Sequence, residues 1–117
     1  MSLRNERVRK ALMREISDIL RTEIKDPNIA GIVSITDVDV SPDNSAARVF
    51  YSVFGDEATK DKTRAALERD TARIRHAVGQ RIRLRHTPSL LFILDESLER
   101  GAKITQLIDK ISRGEIK

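Results

Sequence analysis

The sequence predicts an α+β fold, a single domain in which helices cover one face of a three-stranded sheet, and three observations carry that expectation. Apolar residues recur every three or four positions near the N-terminus and again in the middle of the chain, the period of helices with one buried face. Two runs rich in β-branched residues flank a strong turn signal, Ser41-Pro42-Asp43-Asn44, and so read as a hairpin. A short apolar run at residues 90–94 follows the second helical stretch and supplies a third strand. The expected order is helix, strand, strand, helix, short helix, strand and a terminal helix.

In the first helix, from about residue 2 to residue 25, Val8, Leu12, Ile16, Ile19, Leu20 and Ile24 form the apolar stripe. Arg7, Lys10, Arg14 and Arg21 fall opposite that stripe and are exposed together. Asp26-Pro27 ends the helix, because the residue before a proline is biased away from the α region. Across residues 32–40 the apolar phase runs Val33, Ile35 and then Val38, Val40, a slip that predicts a bulge near Thr36 and Asp37. Residues 47–54 give the second strand, antiparallel to the first.

A helix beginning around residues 56–58 buries Leu67, Ile74 and Val78, with Ala66 and Ala77 beside them. Gly79 then interrupts the pattern. Glycine inside a helix costs about 1 kcal/mol relative to alanine, so a kink is expected there. Beyond it a short helix over residues 80–85 would turn Ile82 and Leu84 inward and Arg81 and Arg85 outward. Thr87-Pro88 stops that helix, and residues 90–94 read as the central strand, buried on both faces. From Gly101 onward Ile104, Leu107, Ile108 and Ile111 keep helical spacing, which predicts a last helix before a tail that frays from about residue 112.

The chain has 117 residues and 39% hydrophobic content, enough for one modest core, so residues 1–117 are expected to form one domain. There is no cysteine, which excludes disulfides, thiolate metal sites and thiol catalysis. The charged N-terminus lacks the apolar stretch of a signal peptide and no run approaches the length of a membrane span. No membrane association and a cytoplasmic location are expected. Phe50, Tyr51, Phe54 and Phe92 are the only aromatic residues, too few for a base-stacking platform, so any nucleic-acid binding must lean on charge and backbone.

Functional signal concentrates in residues 73–88. They hold five arginines, Arg73, Arg75, Arg81, Arg83 and Arg85, with His76, His86 and no acid, while the whole chain carries only +4. The basicity is therefore local. Ion pairs to acids such as Glu68 or Asp70 would make it an ordinary solvated surface. A cationic run beside a helix start is also a site for a polyanion, because free N–H groups and guanidinium groups both bond phosphate. Asp37 and Asp39 share a strand face, but no histidine or third acid completes a catalytic or metal site, so no catalytic residue, metal or cofactor is expected.

The order of elements looks like the bacterial, type II KH arrangement, which binds single-stranded nucleic acid across a helix junction at a Gly-x-x-Gly loop. That loop is absent here, and Ala77-Val78-Gly79 stands in its place. With this Ala-x-Gly feature stand Lys25-Asp26-Pro27, Ile35-Thr36-Asp37-Val38-Asp39-Val40-Ser41-Pro42-Asp43, Val53-Phe54-Gly55, Ile74-Arg75, Gly79-Gln80-Arg81-Ile82-Arg83-Leu84-Arg85, and Thr87-Pro88 with Leu90 and Phe92 before Asp95-Glu96-Ser97. Together these stretches resemble the ribosome-binding factor A family. Their order and spacing cover nearly the whole chain; only the long charged C-terminal extension of some members is short here.

The resemblance implies a non-enzymatic, monomeric assembly factor. Such a factor binds the free small (30S) ribosomal subunit and its 16S rRNA, and assists late maturation and 5′-end processing of that RNA, above all in the cold. It also implies a ribosome-assembly GTPase as a further partner and no small-molecule substrate. The RNA-contacting residues it implies are Arg73, Arg75, His76, Ala77, Val78, Gly79, Gln80, Arg81, Arg83, Arg85 and His86 around the kink, with Arg7, Lys10 and Arg14 on the first helix. The alternative is a generic RNA-binding or protein-interaction module.

Overall fold

The computed structural model describes residues 3–29 and 33–96. The expected C-terminal helix and frayed tail lie outside them. The described elements are α1 (Leu3–Thr22), β1 (Val33–Val40), β2 (Ala46–Val53), α2 (Glu57–Arg81) and β3 (Ser89–Leu94). The α+β class and the KH-like layering hold: α1 packs on β1, α2 lies over β2 and β3, and the two helices touch. Leu12, Ile16, Ile19, Val49, Tyr51, Leu67, Ile74 and Val78 are almost wholly buried between the layers. That burial is what the two apolar periods, 3.6 in the helices and 2 in β2, were built to give.

β1 and β2 pair antiparallel, and their register slips between Ile35 and Asp37, where the sequence placed a bulge. The surplus residue, Thr36, turns its hydroxyl to Asp95 Oδ2 at 2.9 Å. β3 pairs parallel with β2, and the sheet order is β1-β2-β3. The central strand is therefore β2 and not residues 90–94 as their apolar run suggested. β2 has the alternation of a strand covered on one face, with Ala47, Val49, Tyr51 and Val53 buried, whereas β3 is an edge that leaves Leu91 59% exposed.

α2 is capped at its start by Asp56, whose carboxylate accepts from Thr59 N–H at 2.9 Å. It then runs unbroken through Gly79 to Arg81, and Ile82 leaves it in an extended conformation while still donating its N–H to the Val78 carbonyl. The helical run is not interrupted at Ala77-Val78-Gly79, and no short helix follows over residues 80–85. Gly79 has another physical role. A Cβ added there would sit 2.8 Å from Thr87 Oγ1, so the missing side chain lets the returning chain lie against the helix. Ile82 and Leu84 do turn inward, packing partly buried against the core.

Candidate nucleic-acid interface

The return from α2 to β3 builds the site. Arg75 fastens it, donating from Nε to the Pro88 carbonyl at 3.1 Å and from Nη2 to the Thr87 carbonyl at 2.7 Å. Held this way, residues 85–90 and the outer flank of α2 enclose an open groove of about 1030 Å³. Six of the residues expected at the site line it, namely Arg75, His76, Gly79, Gln80, Arg85 and His86. Glu68, Arg69 and Thr87 also line it and were not expected. Helical phase could have found Arg69, because it lies two and three turns before His76 and Gln80 on the same flank. Arg69 is itself paired with Asp26 at 3.0 Å, which, with the Asn28 N–H bonded first, holds the Asp26 carboxyl below its ordinary range.

By what they touch, the expected residues besides Arg75, Gly79 and Gln80 separate into three groups. Ala77 and Val78 belong to the core, Val78 with no exposure at all, so they support the surface from beneath. Arg81 is committed to α1: its Nη1 lies 2.6 Å from Asp18 and 3.1 Å from Glu15, and its Nη2 lies 2.6 Å from Glu23. Asp18 also receives Arg21. The bond from Arg81, followed by that from Arg21, depresses the Asp18 carboxyl, and Asp18 in turn raises Arg81 above the usual guanidinium value. The spacing held a warning, since Arg81 stands seven residues after Ile74 and four after Ala77, in the phase of the buried stripe.

The third group is exposed. Arg73, Arg83 and Arg85, with His76 and His86, are surface residues that make no ion pair or hydrogen bond with any described residue. On α1, Arg7, Lys10 and Arg14 are exposed as expected, with Arg14 loosely paired to Glu15 at 3.4 Å. The acids Glu68 and Asp70, considered above as neutralising partners, pair with none of the five arginines of residues 73–88. Three exposed guanidinium groups and two imidazoles without partners among the described residues, beside a groove wall free of bulky side chains at Gly79, suit an extended polyanion, whose phosphates can meet several cations in turn.

The strand carboxylates do different work. Asp37 receives Arg9 Nη1 at 2.9 Å and Asp39 pairs with Arg48, so both are neutralised across elements. Among the described residues no three His, Cys, Asp or Glu side chains cluster so as to hold a metal ion. No described helix is long and apolar enough to cross a membrane.

Fold and groove together define a small KH-like domain whose basic charge is gathered along one helix flank and the chain that returns beside it. The family model described as Ribosome-binding factor A matches residues 4–108, and the chain belongs to that family. It is 46% identical over 112 residues to ribosome-binding factor A of Halothermothrix orenii, covering 96% of this chain and 91% of that protein. To the Gloeobacter violaceus protein of the same name it is 49% identical over 110 residues, covering 92% and 85%. The crystal structure of ribosome-binding factor A from Thermus thermophilus superposes with a TM-score of 0.68 at 24% identity, over 77% of this chain and 94% of that one. A homology model of the Thermus thermophilus factor, fitted into a cryo-EM map of its complex with the 30S subunit, matches with a TM-score of 0.63 at 25% identity, over 75% and 91%.

Proposed function

We propose that this protein binds the small (30S) ribosomal subunit in the cytoplasm, through phosphates of its 16S rRNA, and acts there as a non-catalytic maturation factor. Arg73, Arg83 and Arg85 make the main phosphate contacts, His76, His86 and Gln80 line the RNA path, and Arg7, Lys10 and Arg14 add a second row of charge. Arg75 and Arg81 hold the surface in shape, the first by clasping Thr87 and Pro88, the second by tying the end of α2 to α1. The observation that carries this reading is the set of three arginines with no acid partner among the described residues, in a stretch that holds no acid of its own. The finer role is assistance in late maturation and 5′-end processing of the 16S rRNA, with the greatest demand at low temperature.

The direct test is cosedimentation of the protein with free small subunits and with full ribosomes. Binding to the free subunit alone is the expected result, and equal binding to both would reduce the protein to a generic RNA binder. A strain lacking the protein should accumulate 16S rRNA with an unprocessed 5′ end at low temperature; normal processing there would remove the maturation role while leaving the binding intact.

A further inference from the structure

We infer that the free edge of β3 takes an extended segment of a partner protein as a fourth strand, one in which acidic and apolar side chains alternate. The parallel ladder fixes which peptide groups are free. Ser89 N–H donates to the Ser45 carbonyl and Asp95 N–H to the Tyr51 carbonyl, and the register between them is unbroken. Odd-numbered residues therefore turn their peptide groups toward β2, and Leu90, Phe92 and Leu94 turn theirs away. Among the described residues no strand pairs with that side.

The two edges of the sheet are not alike. β1 is guarded by its register irregularity and by Asp37 and Asp39, the usual devices against strand addition. β3 reads Ser-Leu-Leu-Phe-Ile-Leu, with no charge, no proline and no bulge, and Leu91 is 59% exposed. Such an edge is a template for pairing.

The surroundings select the occupant. On the helical side the groove wall carries Arg85, which has no partner among the described residues, with Arg69 and Arg75 beside it, held by Asp26 and by the Thr87 and Pro88 carbonyls, against Glu68, while Leu91 projects from the opposite face of the strand. Side chains of an added strand alternate between those faces, so acids meet the arginines and apolar groups cover Leu91. A second copy of β3 brings no acid to the groove. RNA leaves Leu91 uncovered, and it lacks the donor and acceptor pair that alternate strand residues repeat about every 6.8 Å. The added strand's acids occupy the groove assigned above to phosphate, so the two ligands exclude each other, but strand addition is tested without RNA and stands or falls separately.

The probe is a seven-residue peptide of alternating glutamate and valine, acetylated and amidated, added to the isotope-labelled full chain while amide hydrogen exchange is followed residue by residue. The amides of Leu90, Phe92 and Leu94 should slow by about tenfold or more at saturation, with Leu91 and Ile93 little changed. The same peptide N-methylated at every second residue, equal in charge, should give no protection. Failure of the three amides to slow, or equal protection by the N-methylated peptide, overturns the inference. So does an oligouridylate that slows them where the peptide does not, which makes the edge a reader of bases. Protection already present in the free chain means that its own residues 97–117 cover the edge, and protection that rises with protein concentration means that a second copy does; either result overturns it too.

Discussion

If Gly79 exists to admit Thr87, its replacement by alanine must have an effect that depends on the threonine. The new Cβ would lie 2.8 Å from Thr87 Oγ1 but 3.8 Å from Thr87 Cβ, so only the hydroxyl is in the way. Alanine in place of a helix-interior glycine stabilises by about 1 kcal/mol. Turning the Thr87 side chain out of its well costs about 0.5–1.5 kcal/mol. The two nearly cancel, so Gly79→Ala should leave the melting temperature almost unchanged. In a Thr87→Ala background the obstacle is gone and the full helix gain should appear, about 1 kcal/mol or roughly 4 °C. The assay is thermal or urea unfolding of the four proteins of the double-mutant cycle, with an expected coupling of about 0.5–1.5 kcal/mol. Equal stabilisation by Gly79→Ala in both backgrounds would refute the close-approach argument.

Other expectations are more direct. Replacing Arg73, Arg83 and Arg85 together by alanine should weaken small-subunit binding and flatten its log-log salt dependence by about 2, at about 0.7 per lost single-strand phosphate contact; an unchanged slope would show that these arginines do not meet phosphate. Arg81→Ala should instead lower the melting temperature and leave the salt slope alone, since its donors already face Asp18, Glu15 and Glu23. Val78→Ala should cost on the order of 2 kcal/mol of stability while the folded fraction binds normally, because Val78 is core and not contact. Asp43 accepts hydrogen bonds from the Ser45 and Ser41 hydroxyls and from Ser45 N–H, which hold its carboxyl down to about 2. A depressed carboxyl stabilises the fold above its ordinary range and loses that contribution as pH falls through about 2. Asp43→Asn should therefore reduce the loss of stability between pH 5 and pH 2, in acid unfolding followed by circular dichroism.

Most of the fold could be read from the chain because it rests on local periodicity. The stripe in α1, the alternation in β2 and even the slip between Ile35 and Val38 are statements about neighbours. What escaped depends on residues far apart. Gly79 looked like a kink because its reason, Thr87, lies beyond the end of the helix, and a glycine that admits another segment leaves the same mark as one that bends a helix. Residues 90–94 looked central because apolarity says how much a strand is covered and not by which strand it is flanked. At the site, five arginines stood out, but their commitments did not. The carboxylates that hold Arg81 come from the first helix and the residue that follows it, and Arg75 is held by two carbonyl groups, which every residue carries.

The parallel pairing of β3 with β2 also sets an order of events for the newborn chain. β1 and β2 meet across a short turn, whereas β3 can reach β2 only after the whole of α2 has been made and laid back over the sheet, and contacts so distant along the chain close late. Until then the uncharged Ser-Leu-Leu-Phe-Ile-Leu segment is bare on both sides. The Arg75 clasp on Thr87 and Pro88, immediately before that segment, is thus what lays it back against α2, and its loss should be felt first as aggregation during expression.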